Sequence, residues 1–131
     1  LKGIMSPDDA RTAVERGVEG IVVSSYAGRS VSGLAAPMEM LAAIAGAVGG
    51  KAPILIDGGF RRGSDVLKAI ALGARAVLVG RPSLWGLAAY GADGVQTIME
   101  LLQTELARDM AMCGCVDIKA IDRRVVKIHH S

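Results

Sequence analysis

The feature that most constrains the fold is a helix–strand unit that occurs twice in the chain. Residues 9–24 (DARTAVERGVEGIVVS) align with residues 65–80 (DVLKAIALGARAVLVG). In both copies an apolar stripe at helical spacing ends at a glycine, Gly17 or Gly73, and an apolar β-branched run begins soon after it. Repetition of such a unit is how a (β/α)8 barrel is built, so the repeat predicts parallel strands joined by helices.

The same signals divide the rest of the chain into alternating elements. Strands are predicted over residues 1–5, 20–24, 53–57 and 76–79. Helices are predicted from Pro7 to Gly17 behind an N-cap at Ser6, over 37–48, from an N-cap at Ser64 to about Leu72, over 84–89 and over 94–112. Residues 25–36 are expected to form a loop, and residues 116–131 a polar tail with a short apolar patch.

Four strands are half of what a closed barrel needs. A TIM (β/α)8 barrel has eight strands and about 250 residues, so the chain is predicted to be the C-terminal half of such a barrel, as one domain over 1–131. A small open doubly wound sheet is the alternative, although no Gly-x-Gly-x-x-Gly follows the first strand. Since Leu1 lies inside an apolar run and a half barrel leaves sheet edges open, we expect a missing N-terminal half or a homo-oligomer.

Composition excludes several classes of function. The net charge is only +2, the charges are scattered, and aromatic residues make up 3% of the chain, which argues against nucleic acid as a partner. No apolar run approaches the length of about 18 residues needed to cross a bilayer, so no membrane is predicted. Cys113 and Cys115 lack a second ligand pair, so we predict no metal site and idle or buried thiols, with a redox or disulfide role as the alternative, and a cytoplasmic location.

Other side chains with possible chemistry are assigned structural roles. His129 and His130 lie in the polar tail without acidic neighbours and are expected to be solvated. The methionines at helical spacing are expected to fill the core rather than to hold a cofactor; these are Met38, Met40, Met99, Met110 and Met112.

Glycine and arginine follow the third and fourth strands. The third strand runs into DGGFR at 57–61 and the fourth into GR at 80–81. Glycine allows a backbone to come close to an anion, and Arg61 and Arg81 can each donate bidentate hydrogen bonds to one dianion. Asp57 would repel that anion and better suits a hydroxyl group. The strand ends therefore predict a ligand in which a phosphate is joined to a polyol, whereas solvated surface arginines are the alternative.

Three more residues lie near the ends of the first two strands. Lys2 stands in an apolar run, where an ammonium group needs a partner; it would stabilise negative charge on an electron-rich ring, or else reach solvent from the terminus. Arg29 suits a substrate carboxylate, with a plain surface charge as the alternative. Tyr26 beside it is a hydrogen-bond donor or a packing residue.

Several of these motifs resemble one known family. Residues 57–66 (DGGFRRGSDV), 69–77 (AIALGARAV), 80–82 (GRP) and 84–88 (LWGLA) are its most specific matches. Through them, and over nearly its whole length, the chain resembles the C-terminal half of the FMN-dependent α-hydroxy-acid oxidases and dehydrogenases. The resemblance implies a TIM barrel that holds FMN and oxidises small 2-hydroxy carboxylates to 2-oxo acids.

The resemblance also implies a role for each site residue. Lys2 would lie at the N1/O2 edge of the flavin and stabilise its reduced form, Ser24 would contact the isoalloxazine ring, and Asp57 would meet the ribityl chain. Arg29 would bind the substrate carboxylate. The phosphate would be held by Gly58, Gly59, Arg61, Gly80 and Arg81.

The chain departs from the family pattern after the second strand. The family has Ser-Asn-His-Gly-Gly-Arg-Gln there, with the histidine as proton acceptor, whereas residues 24–30 read SSYAGRS. Tyr26 therefore occupies the histidine position, and a phenol, with a pKa of about 10, is a poor base at neutral pH. Tyr26, Arg29 and Lys2 are the predicted catalytic residues of an FMN-dependent oxidoreductase. The alternatives are a diverged, non-catalytic FMN- or phosphate-binding barrel fragment, or a flavin-free enzyme acting on a sugar phosphate.

Overall fold

The computed structural model describes residues 1–31 and 33–127, and in them four strands form one parallel sheet in the order β1-β2-β3-β4. The strands are β1 (Lys2–Ile4), β2 (Ile21–Val23), β3 (Ile54–Asp57) and β4 (Ala76–Leu78). Their centres agree with the predicted strands. Because every pair is parallel, the carboxyl ends of the strands meet at one edge of the sheet.

Helices connect and follow the strands. They are α1 (Pro7–Glu15), α2 (Pro37–Val48), α3 (Gly63–Ala71) and α4 (Arg81–Met112), and single 3-10 turns lie at Tyr26–Gly28, Ile118–Ala120 and Arg123–Val125. The start of α1 is the predicted one, since the Ser6 hydroxyl accepts a hydrogen bond from the Asp9 N–H. Gly49 follows α2 as its C-cap and adopts a left-handed conformation.

The main core lies between the sheet and the first two helices. Ile21, Ile56, Leu41 and Ile44 are fully buried, and they come from β2, β3 and α2. The buried face of α1 adds small alanine side chains, which let that helix pack closely. β4 is covered less, and Leu78 at its carboxyl end is 40% exposed.

The predicted N-cap of α3 at Ser64 is wrong. The helix begins at Gly63, and the Asp65 carboxylate accepts hydrogen bonds from the N–H groups of Arg61 and Arg62, each at 3.0 Å. A Cβ atom on Gly63 would lie 2.2 Å from the Leu106 backbone nitrogen in α4. The start of this helix is therefore fixed partly by contact with α4, which the local sequence does not encode.

The two helices predicted after β4 are joined in one element with a break. Backbone angles are not helical at Tyr90 (φ −142°) and Gly91 (φ 62°), and the first part of α4 begins at Arg81 rather than at the predicted Leu84. A Cβ atom on Gly86 would lie 2.4 Å from the Gly94 carbonyl oxygen. The segments on either side of the break therefore pack backbone against backbone.

The C-terminal tail is less polar in its packing than predicted. Ile121 is buried in a second cluster with Cys115 and Leu67. Cys113 is exposed and Cys115 is buried, and both are free thiols. The prediction for His129 and His130 falls outside the described residues.

Two aspartates cap the turns of the tail. Asp117 accepts a hydrogen bond from the Ala120 N–H at 2.9 Å, and Asp122 accepts one from the Arg124 N–H at 2.9 Å. The Arg124 guanidinium also hydrogen-bonds the Asp122 carboxylate and lowers its pKa below the usual value.

The methionines follow the core prediction only in part. Met38 and Met40 pack against the main core and Met110 against the second cluster. The prediction is wrong for Met112, which is 85% exposed at the end of α4. Among the described residues, no helix is both long and apolar enough to cross a membrane.

Candidate functional site

A cavity of about 610 Å³ opens at the carboxyl edge of the sheet. Its walls are formed by Lys2 at the start of β1, by the carboxyl ends of β3 and β4, and by the turn after β2. All but one of the predicted site residues line it, namely Lys2, Tyr26, Arg29, Asp57, Gly58, Gly59, Arg61, Gly80 and Arg81. Residues from strand ends far apart in sequence are therefore brought to one place, as the repeat predicted.

Arg61 and Arg81 define one end of this cavity. Both side chains line it, and in the described part of the chain neither has a carboxylate within 4.0 Å. Directly after β3, Gly58 (φ 95°) and Gly59 (φ 87°) adopt a backbone conformation that residues with a side chain rarely take. No atom lies within 4 Å of the position a Gly59 Cβ would occupy. This end offers two guanidinium groups and open backbone to an anion.

An ion pair between Lys2 and Asp57 lies beside the two glycines. The Lys2 Nζ contacts Asp57 Oδ2, and the side chains are 41% and 20% exposed. Lys2 is thus partly exposed, and the partner that its ammonium group needs is a carboxylate from another strand. Asp57 Oδ1 is buried and lacks a hydrogen-bond partner in the described structure. A donor supplied by a ligand would satisfy this oxygen.

Tyr26 packs over Lys2 and Gly3, the first two residues of β1. Its hydroxyl donates to the Lys2 carbonyl oxygen at 3.3 Å, and the centroid of its ring lies 5.7 Å from Lys2 Nζ. Gly3 leaves the space for this ring, because a Cβ there would lie 2.7 Å from Tyr26 Cε2. Tyr26 (φ 52°) and Ala27 (φ 59°) are both left-handed, which is rare for residues other than glycine.

Ser24 and Arg29 flank Tyr26 and contact it. Ser24 is only 1% exposed, and its Oγ accepts a hydrogen bond from the Tyr26 N–H at 3.1 Å. Ser24 does not line the cavity and supports the turn, so its contact with a flavin ring stays a prediction. Arg29 lines the cavity, and its Nε donates to the Tyr26 carbonyl oxygen at 3.2 Å.

The sequence reasoning missed two aromatic residues at this site. Phe60 lines the cavity and is 3% exposed, and the Trp85 ring centroid lies 5.5 Å from Arg61 Cζ. The available signal was composition, since the single tryptophan of an aromatic-poor chain follows closely after Arg81. No group of His, Cys, Asp and Glu among residues 1–31 and 33–127 has the arrangement of a metal site.

Fold and site together define an α/β protein of the half-barrel type with an arginine-lined cavity at the carboxyl ends of parallel strands. A family model described as FMN-dependent dehydrogenase matches residues 1–128. The chain belongs to this family.

Relatives support the assignment at high identity. The chain is 49% identical over 126 residues to 2-hydroxyacid oxidase 1 of Homo sapiens, covering 96% of this chain and 34% of the relative. It is 52% identical to L-lactate oxidase of Nostoc sp., covering 93% and 33%, and 51% identical to 4-hydroxymandelate oxidase of Amycolatopsis orientalis, covering 98% and 36%. The chain thus spans about a third of the length of the relatives it matches.

The fold is shared with a solved relative. A crystal structure of mandelate oxidase with benzoyl-formic acid superposes with a TM-score of 0.90 at 52% identity, over 94% of this chain and 37% of that one. The predicted fold class, four parallel strands with helices as in half of a (β/α)8 barrel, is confirmed. The family resemblance is confirmed as well.

Proposed function

We propose that the full-length protein carrying this chain binds FMN and oxidises a small 2-hydroxy carboxylate to the 2-oxo acid. Membership of the FMN-dependent dehydrogenase family supports this, as do relatives named 2-hydroxyacid oxidase and L-lactate oxidase. The observation that carries the proposal is the cavity, which has two guanidinium groups at one end, neither paired with a carboxylate of the described residues, and a lysine–carboxylate pair beside them.

The residues present fit FMN. A phosphate suits Arg61 and Arg81, whose charge no neighbouring carboxylate in the described chain cancels. A ribityl hydroxyl suits Asp57 Oδ1, a buried acceptor with no hydrogen-bond partner among residues 1–31 and 33–127. Lys2, on the neighbouring oxygen of Asp57, suits the edge of a ring on which negative charge develops.

When bound, FMN would supply an acceptor for the two electrons removed from the substrate α-carbon. Arg29 would bind the substrate carboxylate, since it lines the cavity and no described carboxylate lies within 4.0 Å of it. The Asp57 carboxylate would hold the Lys2 ammonium group in place. These residues would bind and orient the substrate, and the proton of its hydroxyl group would pass to solvent water wherever no side-chain base takes it.

Whether a side chain takes the substrate proton depends on Tyr26. Tyr26 stands where the family has its proton-accepting histidine, and we infer that it does not take over this role. A phenol is a poor base at neutral pH, and the Tyr26 hydroxyl proton is already donated to the Lys2 carbonyl oxygen. This hydrogen bond also favours the second candidate function, a protein that binds FMN without oxidising 2-hydroxy acids efficiently.

Flavin spectroscopy on the full-length protein tests both candidates. The purified protein should show the absorption band of oxidised flavin, and the protein freed of FMN should bind it again. Anaerobic mixing with glycolate, lactate and mandelate should bleach the band if the protein is an oxidoreductase. A band that none of these acids bleaches would support the second candidate, and a protein that takes up no FMN would contradict both.

Oligomeric state and location stay proposals. We propose a homo-oligomer or association with the remaining part of a barrel, because β1 and β4 are open edges of the described sheet. Sedimentation as a monomer by the 131-residue chain alone would contradict self-association. A cytoplasmic location is proposed from the sequence only, and fluorescence microscopy of a tagged protein would test it.

A further inference from the structure

We propose that Trp85 is a positioning residue, whose indole face holds the Arg61 guanidinium at the phosphate end of the cavity. The proposal rests on the proposed function and adds a residue to its binding site. The centroid of the Trp85 ring lies 5.5 Å from Arg61 Cζ, within the range of a cation–π contact. Arg61 lines the cavity, and Trp85, which is half-exposed, directly follows the lining residue Leu84.

Arg61 requires such a support because little else restrains its side chain. It is exposed, and none of the ion pairs in the described structure involves it. A free arginine side chain loses about 2 kcal/mol of rotamer freedom when it is fixed on a ligand. A carboxylate partner would fix it but would also cancel the charge that a phosphate needs. An aromatic face restrains the guanidinium and leaves its N–H donors and its charge available.

Trp85 is itself held by the backbone. The next residue, Gly86, packs so closely on Gly94 that a Cβ atom would lie 2.4 Å from the Gly94 carbonyl oxygen. Trp85 also stands four residues after Arg81 in α4, so the two side chains share one face of the helix. One rigid segment therefore presents both the second phosphate-binding arginine and the support of the first.

Two ligands that differ only in the phosphate test this role. The full-length protein is freed of flavin, and binding of FMN and of riboflavin is titrated for the wild type, Trp85→Leu and Trp85→Phe. We expect Trp85→Leu to weaken FMN binding by about two- to fivefold and to leave riboflavin binding unchanged. Trp85→Phe should recover part of the loss, because a smaller aromatic face remains.

Two further variants separate positioning from general packing. Tyr90→Leu removes another exposed aromatic residue from α4 outside the cavity and should leave FMN binding unchanged. In an Arg61→Leu background, Trp85→Leu should have no additional effect, since the group it positions is gone.

The possible failures are distinguishable. If the wild type binds FMN and Trp85→Leu binds it equally well, Trp85 does not position Arg61. If Trp85→Leu weakens riboflavin as much as FMN, the residue supports the cavity in general and the proposal is overturned. If the wild type binds no FMN at all, the proposed function fails together with this inference.

Discussion

At each end of the cavity a cationic side chain lies beside an aromatic ring, but only one of the two cations also contacts a carboxylate in the described structure. At one end Lys2 Nζ lies 5.7 Å from the Tyr26 ring centroid, and at the other Arg61 Cζ lies 5.5 Å from that of Trp85. Lys2 also contacts the Asp57 carboxylate, whereas Arg61 has no such partner among the described residues. The first end thus holds an oriented, partly neutralised cation, and the second retains its positive charge for an anion.

The backbones of the two ends differ as well. The turn after β3 places glycines at its positive φ angles, and the turn after β2 places Tyr26 and Ala27 there. A left-handed residue other than glycine costs about 1–3 kcal/mol, so the second turn must be held by other contacts. Tyr26 supplies three of them, to Lys2, Ser24 and Arg29. The strained end is also the one that departs from the family pattern, so we expect the largest functional effects there.

Tyr26→His should give the largest effect. Histidine is enriched among left-handed residues, so the turn can accept it, and an imidazole can take the substrate proton near neutral pH. We expect kcat with a 2-hydroxy acid to rise by about a hundredfold, the usual contribution of general base catalysis. Steady-state kinetics of the FMN-loaded full-length protein measures this.

Tyr26→Phe is the matched control for the base. It keeps the ring over Lys2 and removes only the hydroxyl that donates to the Lys2 carbonyl oxygen. Turnover should change little if the phenol takes no proton. A variant Tyr26→Phe that loses nearly all activity, together with no gain in Tyr26→His, would show that the phenol takes part in the chemistry.

The next largest effect, a loss of FMN affinity, is expected from Arg61→Leu and Arg81→Leu at the end of the cavity whose arginines have no ion pair in the described structure. Each removes charge-assisted hydrogen bonds to a phosphate, so FMN affinity should fall by about ten- to a hundredfold. The free energy of unfolding without FMN should fall by no more than about 0.5–1 kcal/mol, because no ion pair in the described structure is lost and the exposed contact of Arg61 with Trp85 is weak. Flavin titration and urea unfolding give the two quantities.

Arg75→Leu is the control for net charge. Arg75 is exposed just before β4, at the opposite edge of the sheet, and does not line the site. Its loss should leave FMN affinity unchanged. Equal weakening by Arg75→Leu would mean that the overall charge attracts FMN and that the two ends do not differ as described.

The sheet and the end of the cavity with Arg61 and Arg81 were predictable because their signals are local. Apolar runs that stop at DGGFR and GR place the ends of β3 and β4, and parallel strands bring those ends together. The start of α1 was also readable, because Ser6 and Pro7 carry the N-cap signal themselves. In contrast, α3 begins at Gly63 partly because of its contact with α4, which no local pattern shows, while the local hydrogen bonds of the Asp65 carboxylate support that start.

At the end of the cavity with Lys2 and Tyr26, the sequence predicted the individual residues but not the contacts between them. The need of Lys2 for a partner was apparent, but Asp57 lies two strands away, and their contact depends on how the strand ends converge. The space that Gly3 leaves for the Tyr26 ring was not foreseen either, because β1 and the turn after β2 are far apart in sequence. Contacts of this kind depend on tertiary geometry, which no local sequence pattern contains.

Gly3→Ala tests whether this space matters. A Cβ there would meet Tyr26 Cε2 at 2.7 Å, and the residue has a φ of 93°. Gly17 has a similar φ of 83° with no atom within 4 Å of its Cβ position, so Gly17→Ala is the matched control. We expect Gly3→Ala to cost about 1 kcal/mol of unfolding free energy beyond the control. In a Tyr26→Leu background the excess should shrink, and an undiminished excess would mean that the ring is not the obstacle.

The smallest effect is expected from the Lys2–Asp57 pair. Because the Lys2 side chain is 41% exposed, water screens the pair, and its coupling should be only about 0.5–1 kcal/mol. A double-mutant cycle of Lys2→Met and Asp57→Asn, followed by urea unfolding, measures this coupling. The corresponding cycle of Arg61→Leu with Asp57→Asn should show none, since those groups form no ion pair in the described structure. Equal couplings from the two cycles would mean that Asp57 neutralises Lys2 no more than it neutralises Arg61. The two ends of the cavity would then not differ in charge as described.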